Sequence, residues 1–340
     1  MVQMTKENNL LYLRSVGSGS DPSVTPPLAA RGLIATDVIT LQELFTIPVA
    51  HAFLSSSRQY FYNVLEKKIE VFDGHTGKQV GNIILSHSLK AGLNGRRIIK
   101  QYTSHDERLL YQISGITEYP LLLQLVDLKS GNVLKSTPIS DPSCNTIVAF
   151  VQNAKDAIYL RCKELVHRLD IITQQIMPLS ISSHSLIAIA PNGHLLYSLA
   201  NGVVSIHDIK TGTILEFLPL TLNTSPGYYK LLISNDGLRL FAIAKTYEKS
   251  GSEQEIRLKQ VGTYVEIFDL KSKKQLSRIE WLFDFLSFEI NQDGTVIYGI
   301  SLECSEYSAN SKLTSYDAIM GSVLSQHIYF DEIITELILV

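Results

Sequence analysis

The stretch Val203-Val204-Ser205-Ile206-His207-Asp208-Ile209-Lys210-Thr211-Gly212-Thr213-Ile214-Leu215 decides the fold. Apolar residues alternate with others on both sides of a short Asp-to-Gly break. A period of two marks a β-strand, and a break of this composition between two such runs marks a hairpin turn. In such a turn the Asp accepts hydrogen bonds from backbone N–H groups one or two residues on, and Gly supplies a positive φ. Asp208 is therefore read as turn chemistry and not as a catalytic acid. The pattern returns at residues 69–80, 125–134 and 265–274, and more weakly at 34–40, 166–173 and 313–318. Its aspartates are Asp37, Asp73, Asp127, Asp170, Asp208, Asp269 and Asp317, on average about 47 residues apart, the length of a four-stranded propeller blade with room for inserted loops.

A second hairpin precedes most copies. Ala190-Pro191-Asn192-Gly193-His194, Ser234-Asn235-Asp236-Gly237-Leu238 and Asn291-Gln292-Asp293-Gly294-Thr295 each join two apolar runs, and Asn-Gly and Asp-Gly are strong hairpin signals. Each unit thus has four strands, here called A to D from the inside out, with A–B and C–D turns at one end and B–C and D–A loops at the other. No long segment shows a 3.6-residue apolar period with caps, so helix content is expected to be very low. The first unit has a B strand at residues 9–16 but no A strand before it, and the last is followed by an orphan strand at 333–340. Joined, they complete one blade and leave no free seam. The expected fold class is all-β: a seven-bladed β-propeller of four-stranded antiparallel blades, one shared between the N- and C-termini. It forms a single domain, with the shared blade at about 5–48 and 332–340 and the others at about 49–85, 95–139, 145–180, 184–220, 228–281 and 283–329. This replaces the two domains that 340 residues suggest at roughly 150 residues each.

On these residues the chain resembles the YVTN/WD-repeat-like β-propellers. Ile233-Ser234-Asn235-Asp236-Gly237-Leu238-Arg239-Leu240-Phe241-Ala242 is similar to their A–B hairpin, and Val265-Glu266-Ile267-Phe268-Asp269-Leu270 to their strand C. No Trp-Asp closes a strand C, and the His75 of Gly74-His75 falls inside a C–D turn. The resemblance implies a scaffold and not a chemistry.

Composition narrows the function. With 30 Lys+Arg against 33 Asp+Glu and a net charge of −3, a nucleic-acid-coating surface is not expected. No run approaches the about 18 apolar residues of a membrane helix, and the N-terminus lacks a signal pattern. Cytoplasmic localisation and a monomeric state follow as expectations. Cys144, Cys162 and Cys304 are odd in number and scattered, and are read as three reduced thiols. His167 and His207 sit on strands C and are read as structural histidines with local partners.

Four B–C loops read as long: residues 17–30, 114–120, 246–262 and 303–312. Long loops on a rigid scaffold commonly carry function. The expected function is a non-enzymatic protein-interaction scaffold that binds another protein through this rim. The candidate contacts are Asp21, Tyr119, Tyr247, Glu248, Lys249, Glu253, Arg257 and Tyr307, with no cofactor. The alternative is a metal-dependent, lactonase-type hydrolase with a divalent cation at the channel mouth. His51, His87, Asp141, His184, Asp284 and Asp331, in or near D–A loops, would supply its ligands. Regucalcin-like lactonase propellers use such a central site, but their acidic ligands do not match here residue for residue.

Overall fold

The computed structural model describes residues 10–17, 32–49, 52–55, 57–87, 89, 97–104, 106–115, 121–139, 146–150, 157–162, 164–170, 173, 175–220, 227–250, 257–281, 287–304, 309–329 and 332–339. These form strands and turns, with no helix among them. None is therefore long and apolar enough to cross a membrane. The first blade holds β1 (Leu10–Gly17), β2 (Gly32–Asp37) and β3 (Glu43–Ile47). The second holds β4 (Phe53–Leu54), β5 (Tyr60–Val64), β6 (Lys68–Asp73) and β7 (Gln79–Ile84), and the third β8 (Arg97–Thr103), β9 (Leu109–Gly115), β10 (Leu121–Asp127) and β11 (Val133–Ile139). The fourth holds β12 (Thr146–Phe150), β13 (Ala157–Arg161), β14 (Leu165–Asp170) and β15 (Ile176–Ser182), and the fifth β16 (Leu186–Ile189), β17 (Leu195–Ala200), β18 (Val203–Asp208) and β19 (Ile214–Pro219). The sixth holds β20 (Gly227–Ile233), β21 (Arg239–Ser250), β22 (Arg257–Asp269) and β23 (Lys274–Trp281). The seventh holds β24 (Ser287–Ile290), β25 (Val296–Cys304), β26 (Ala309–Asp317) and β27 (Val323–Tyr329), and the last strand is β28 (Glu332–Leu339).

Each blade is a four-stranded antiparallel sheet, and β28 completes the first in the order β28-β1-β2-β3. Leu13 pairs with Leu337 and Arg14 with Glu336 across that junction. The shared blade is thus formed, and the fold class is that of a seven-bladed β-propeller.

The chain divides into two compact units: residues 1–83, 285–291 and 295–340, and residues 84–284 with 292–294. In the first, the period of two buries both faces of the N-terminal blade. Leu11, Leu13 and Ile34 pack with Val296, Ile300 and Leu313 of the seventh blade. Leu10, Tyr12 and Leu33, one residue out of phase, pack with Phe61 and Phe72 of the second. In the second unit, Ile158 and Leu160 pack against the third blade, while Tyr159 and Val166 pack against the fifth.

The turn aspartates are structural, as expected, but their reach is longer. Asp37 Oδ1 accepts from the N–H groups of Ile39 at 3.0 Å and Thr40 at 2.7 Å, and Asp317 Oδ1 from Ile319 at 2.8 Å and Met320 at 2.7 Å. The donors lie two and three residues on, not one or two, because the fourth residue on closes the turn. That residue has a positive φ at Leu41, Gly77, Gly131, Gly212, Lys273 and Gly321, and the strand pairing shifts by one residue beside it in most blades. Backbone hydrogen bonds, from Thr40, Lys129 and Thr211 first, hold the carboxyls of Asp37, Asp127 and Asp208 below the usual range.

One position of strand B repeats its chemistry in every blade. Opposite the residue two before each turn Asp stand Tyr12, Tyr62, Tyr111, Tyr159, Tyr197, Phe241 and Tyr298, all buried. The Tyr12 hydroxyl donates to the Gly74 carbonyl at 2.6 Å and that of Tyr159 to Ile209 at 3.4 Å. Both acceptors follow the turn Asp of the next blade in sequence, so the aromatic links neighbouring blades.

His207 has local partners, as expected. Its buried imidazole lies 3.1 Å from the Gly212 carbonyl through Nδ1 and 2.8 Å from Ser198 Oγ through Nε2. The carbonyl can only accept, so Nδ1 carries the proton and Nε2 accepts from the serine. Burial holds the His207 pKa below its ordinary value. The neutral imidazole is thus favoured on folding. Its contribution is full above about pH 6.5, the unfolded value, and is lost as pH falls toward the lower folded value. Between pH 7 and 5 the melting temperature of the natural chain should fall more steeply than that of His207→Gln; parallel curves would contradict this.

The thiols differ from expectation: Cys162 is disulfide-bonded. An odd cysteine count leaves one thiol over, but it does not prevent the other two from pairing. Thiol titration of the denatured, unreduced chain should therefore find one free thiol; three would contradict the bond.

Candidate functional site

The sixth blade carries the longest strands. β20 accompanies β21 only as far as Lys245, opposite Gly227, and β23 accompanies β22 only as far as Thr263, opposite Trp281. Beyond those points, among the described residues, 246–250 and 257–262 pair only with each other. The register runs Thr246 to Gly262, Tyr247 to Gln260, Glu248 to Lys259, Lys249 to Leu258 and Ser250 to Arg257, with a bulge between Thr246 and Tyr247. A two-stranded ribbon therefore extends past the described ends of β20 and β23. The register sets Glu248 opposite Lys259, a cross-strand pair of opposite charge.

This corrects the long-loop reading of 246–262: β-strand pairing needs no apolar face, so a mixed-charge run can be a ribbon. Residues 303–312 are corrected likewise, because Glu303 pairs with Asn310 and Cys304 with Ala309. Of the other two loops, Gly17 ends β1, Ser114 and Gly115 end β9, and the remainder lies outside the described residues.

The ribbon stands on a rigid root within its blade. Glu266 of β22 is fully buried (0% exposed), and Tyr228 of β20 donates its hydroxyl to Glu266 Oε2 at 2.9 Å. Burial first, and then the Glu266 charge, pushes the Tyr228 phenol far up, so it stays a donor and is no general acid at neutral pH. The Arg278 guanidinium lies 4.8 Å from the centre of the Tyr264 ring and the Lys245 ammonium 5.0 Å from that of Tyr229. Trp281, the only tryptophan of the chain, is buried opposite Thr263, at the base of the ribbon.

The structure places the candidate residues as follows. Tyr247, Glu248 and Lys249 lie on the projecting end of β21, and Arg257 opens β22. Asp21, Tyr119, Glu253 and Tyr307 lie outside the described residues, as do His51, Asp141, Asp284 and Asp331. His87 and His184 are exposed in the connections after β7 and β15. Among the described residues no group of three or more His, Cys, Asp or Glu side chains could hold a metal ion.

A cleft of about 380 Å³ that sequence reasoning did not find lies between the A–B turns of the fifth and sixth blades, lined in part by Asn192, Tyr197, Asn235 and Asp236. Two of its polar side chains accept hydrogen bonds within their own turns. Asn192 Oδ1 accepts from the His194 N–H at 3.0 Å, and Asp236 Oδ1 from Ser234 Oγ at 2.5 Å and the Leu238 N–H at 2.9 Å.

Comparison with known proteins agrees at the level of fold. No family model matches the chain. No curated protein matches it in sequence. Among solved structures, one of a eukaryotic initiation factor superposes with a TM-score of 0.50 at 11% identity, covering 98% of this chain and 77% of that one. Another, of the dihydro-heme d1 dehydrogenase NirN in complex with DHE, gives a TM-score of 0.47 at 12% identity, covering 97% of this chain and 75% of that one. At such identity the likeness to the initiation factor is one of fold alone.

Proposed function

We propose that the chain is a non-enzymatic interaction scaffold, a single propeller domain of the YVTN/WD-repeat-like kind, that captures another protein through the ribbon at residues 246–262. The observation that carries this reading is the ribbon itself, paired from Thr246–Gly262 to Ser250–Arg257 and, among the described residues, joined by neither β20 nor β23. An isolated two-stranded hairpin is at best marginally stable in water, so a partner that packs on it adds what the sheet does not. Tyr247, Glu248 and Lys249 stand on one of its strands and Arg257 on the other, opposite Ser250.

The test replaces residues 247–260 with an Asn-Gly turn, which leaves every pairing with β20 and β23 in place. Affinity capture from the source cell is compared for the two chains. Loss of the captured partner with an unchanged melting temperature is the expected result. Equal capture by both chains would overturn the proposal.

A further inference from the structure

We propose that β27 is a self-association edge, on which a second copy of this chain pairs antiparallel to form one continuous eight-stranded sheet. β27 ends the β24-β25-β26-β27 sheet, and no described strand pairs with its outer side. Outer strands with unpaired N–H and C=O groups invite a further strand, and proteins blunt them with charges, proline or breaks in the strand. The other six outer strands carry such devices. β3 has Glu43, β7 the interior Gly81, β11 Lys135 and Pro138, β15 Pro178, β19 Glu216 and Pro219, and β23 Lys274, Arg278 and Glu280. β27, Val323-Leu324-Ser325-Gln326-His327-Ile328-Tyr329, has no Lys, Arg, Asp, Glu, Pro or Gly.

Its surface is also apolar. Every blade exposes one large aliphatic side chain seven residues after its turn Asp: Leu44, Val80, Leu134, Met177, Leu215, Leu276 and Leu324. The seventh blade further exposes Val323 and Ile328 and, in its C–D turn, Ile319 and Met320, the latter 78% accessible; β19 likewise exposes Ile214 and Phe217 and β7 Ile84, but those strands carry the charge, proline or glycine named above. At the place of Met320 the first, second and fifth blades have Thr40, Thr76 and Thr211, whose hydroxyls bind the turn Asp. The seventh turn gives up that hydrogen bond and exposes a methionine instead.

The second copy is the occupant because the strand is complementary to itself. Its exposed face reads Leu324, Gln326, Ile328, while Ser325 and His327 face the other way. Antiparallel pairing about a two-fold axis at Gln326 sets Leu324 against the partner's Ile328 twice, and Gln326 against the partner's Gln326. No charge opposes a like charge in that register.

Light scattering on the eluting full-length chain, across a wide concentration range, tests this. The natural chain should show twice the chain mass. Gln326→Lys, which sets two ammonium groups face to face on the axis, should show the chain mass, as should Gln326→Glu, and an equimolar mixture of the two should regain the doubled mass. Leu134→Lys, at the corresponding place on β11, should leave the dimer intact, and melting curves establish that each variant is folded. A natural chain that stays monomeric, a dimer indifferent to Gln326→Lys, or a mixture that stays monomeric would each overturn the proposal.

Discussion

Tyr12→Ala should destabilise the chain by about 3–5 kcal/mol, the range for removing a large buried aromatic. Tyr12 is fully buried on β1, the strand that β28 pairs with to complete the first blade. Its ring meets Phe61 edge-on at 4.5 Å and Phe45 at 6.2 Å, and its hydroxyl reaches the Gly74 carbonyl of the next blade. Burial pushes the phenol pKa well above its ordinary value, so the group remains a donor throughout the accessible pH range. The alanine leaves a cavity between two blades and removes the donor to a turn carbonyl. Tyr12→Phe keeps the ring and should lose only about 1 kcal/mol. Denaturant midpoints of the three chains separate packing from the hydrogen bond; equal losses in the two variants would mean the ring contributes little. Total stabilities run to about 5–15 kcal/mol, so the alanine variant can lie near the limit of folding.

The second large effect concerns one glycine. Gly32 opens β2 with φ +104°, and a Cβ there would stand 2.3 Å from the Ile47 carbonyl oxygen and 2.7 Å from the Val49 nitrogen. Both are backbone atoms, so no side-chain rotation relieves the clash. A strained φ costs roughly 1–3 kcal/mol and overpacking roughly as much again, so Gly32→Ala should cost about 3 kcal/mol or more. Gly81→Ala in β7, whose Cβ would meet nothing closer than 3.9 Å, is the control and should be nearly neutral. Comparable melting curves for the two variants would contradict the close approach of β2 and β3.

Much of this architecture was legible in the sequence, and the reason is physical. The Asp turn needs a side-chain acceptor and a left-handed residue at fixed offsets, so it leaves a mark in every blade even when the strands vary. The orphan strand at the C-terminus was legible because a propeller cannot leave an edge unpaired at its seam. The strand-B aromatics were not noticed, because the B–C connections differ in length and place them at different distances before the turn Asp. Counted from the A–B turn they are regular: Tyr62, Tyr111, Tyr197, Phe241 and Tyr298 each stand four residues after a left-handed residue. Arg58 and Glu107 take that left-handed position in two blades, where a search for Asn-Gly and Asp-Gly finds nothing. The segment at 246–262 was legible as an insertion but not in its form. A charged run of low apolar content reads as a loop, yet a projecting ribbon has no core to face and needs no alternation. The Cys162 disulfide was missed because counting cysteines decides only whether all of them can pair.

The most direct test of the ribbon as the capture surface is site-specific photo-crosslinking in the source cell. A photoreactive side chain is placed at Tyr247, at Arg257 and, as controls, at Leu134 and Leu215 on outer strands. The account predicts one common adduct from Tyr247 and Arg257 and none of that mass from the two controls. Adducts from the outer strands with none from the ribbon would contradict it.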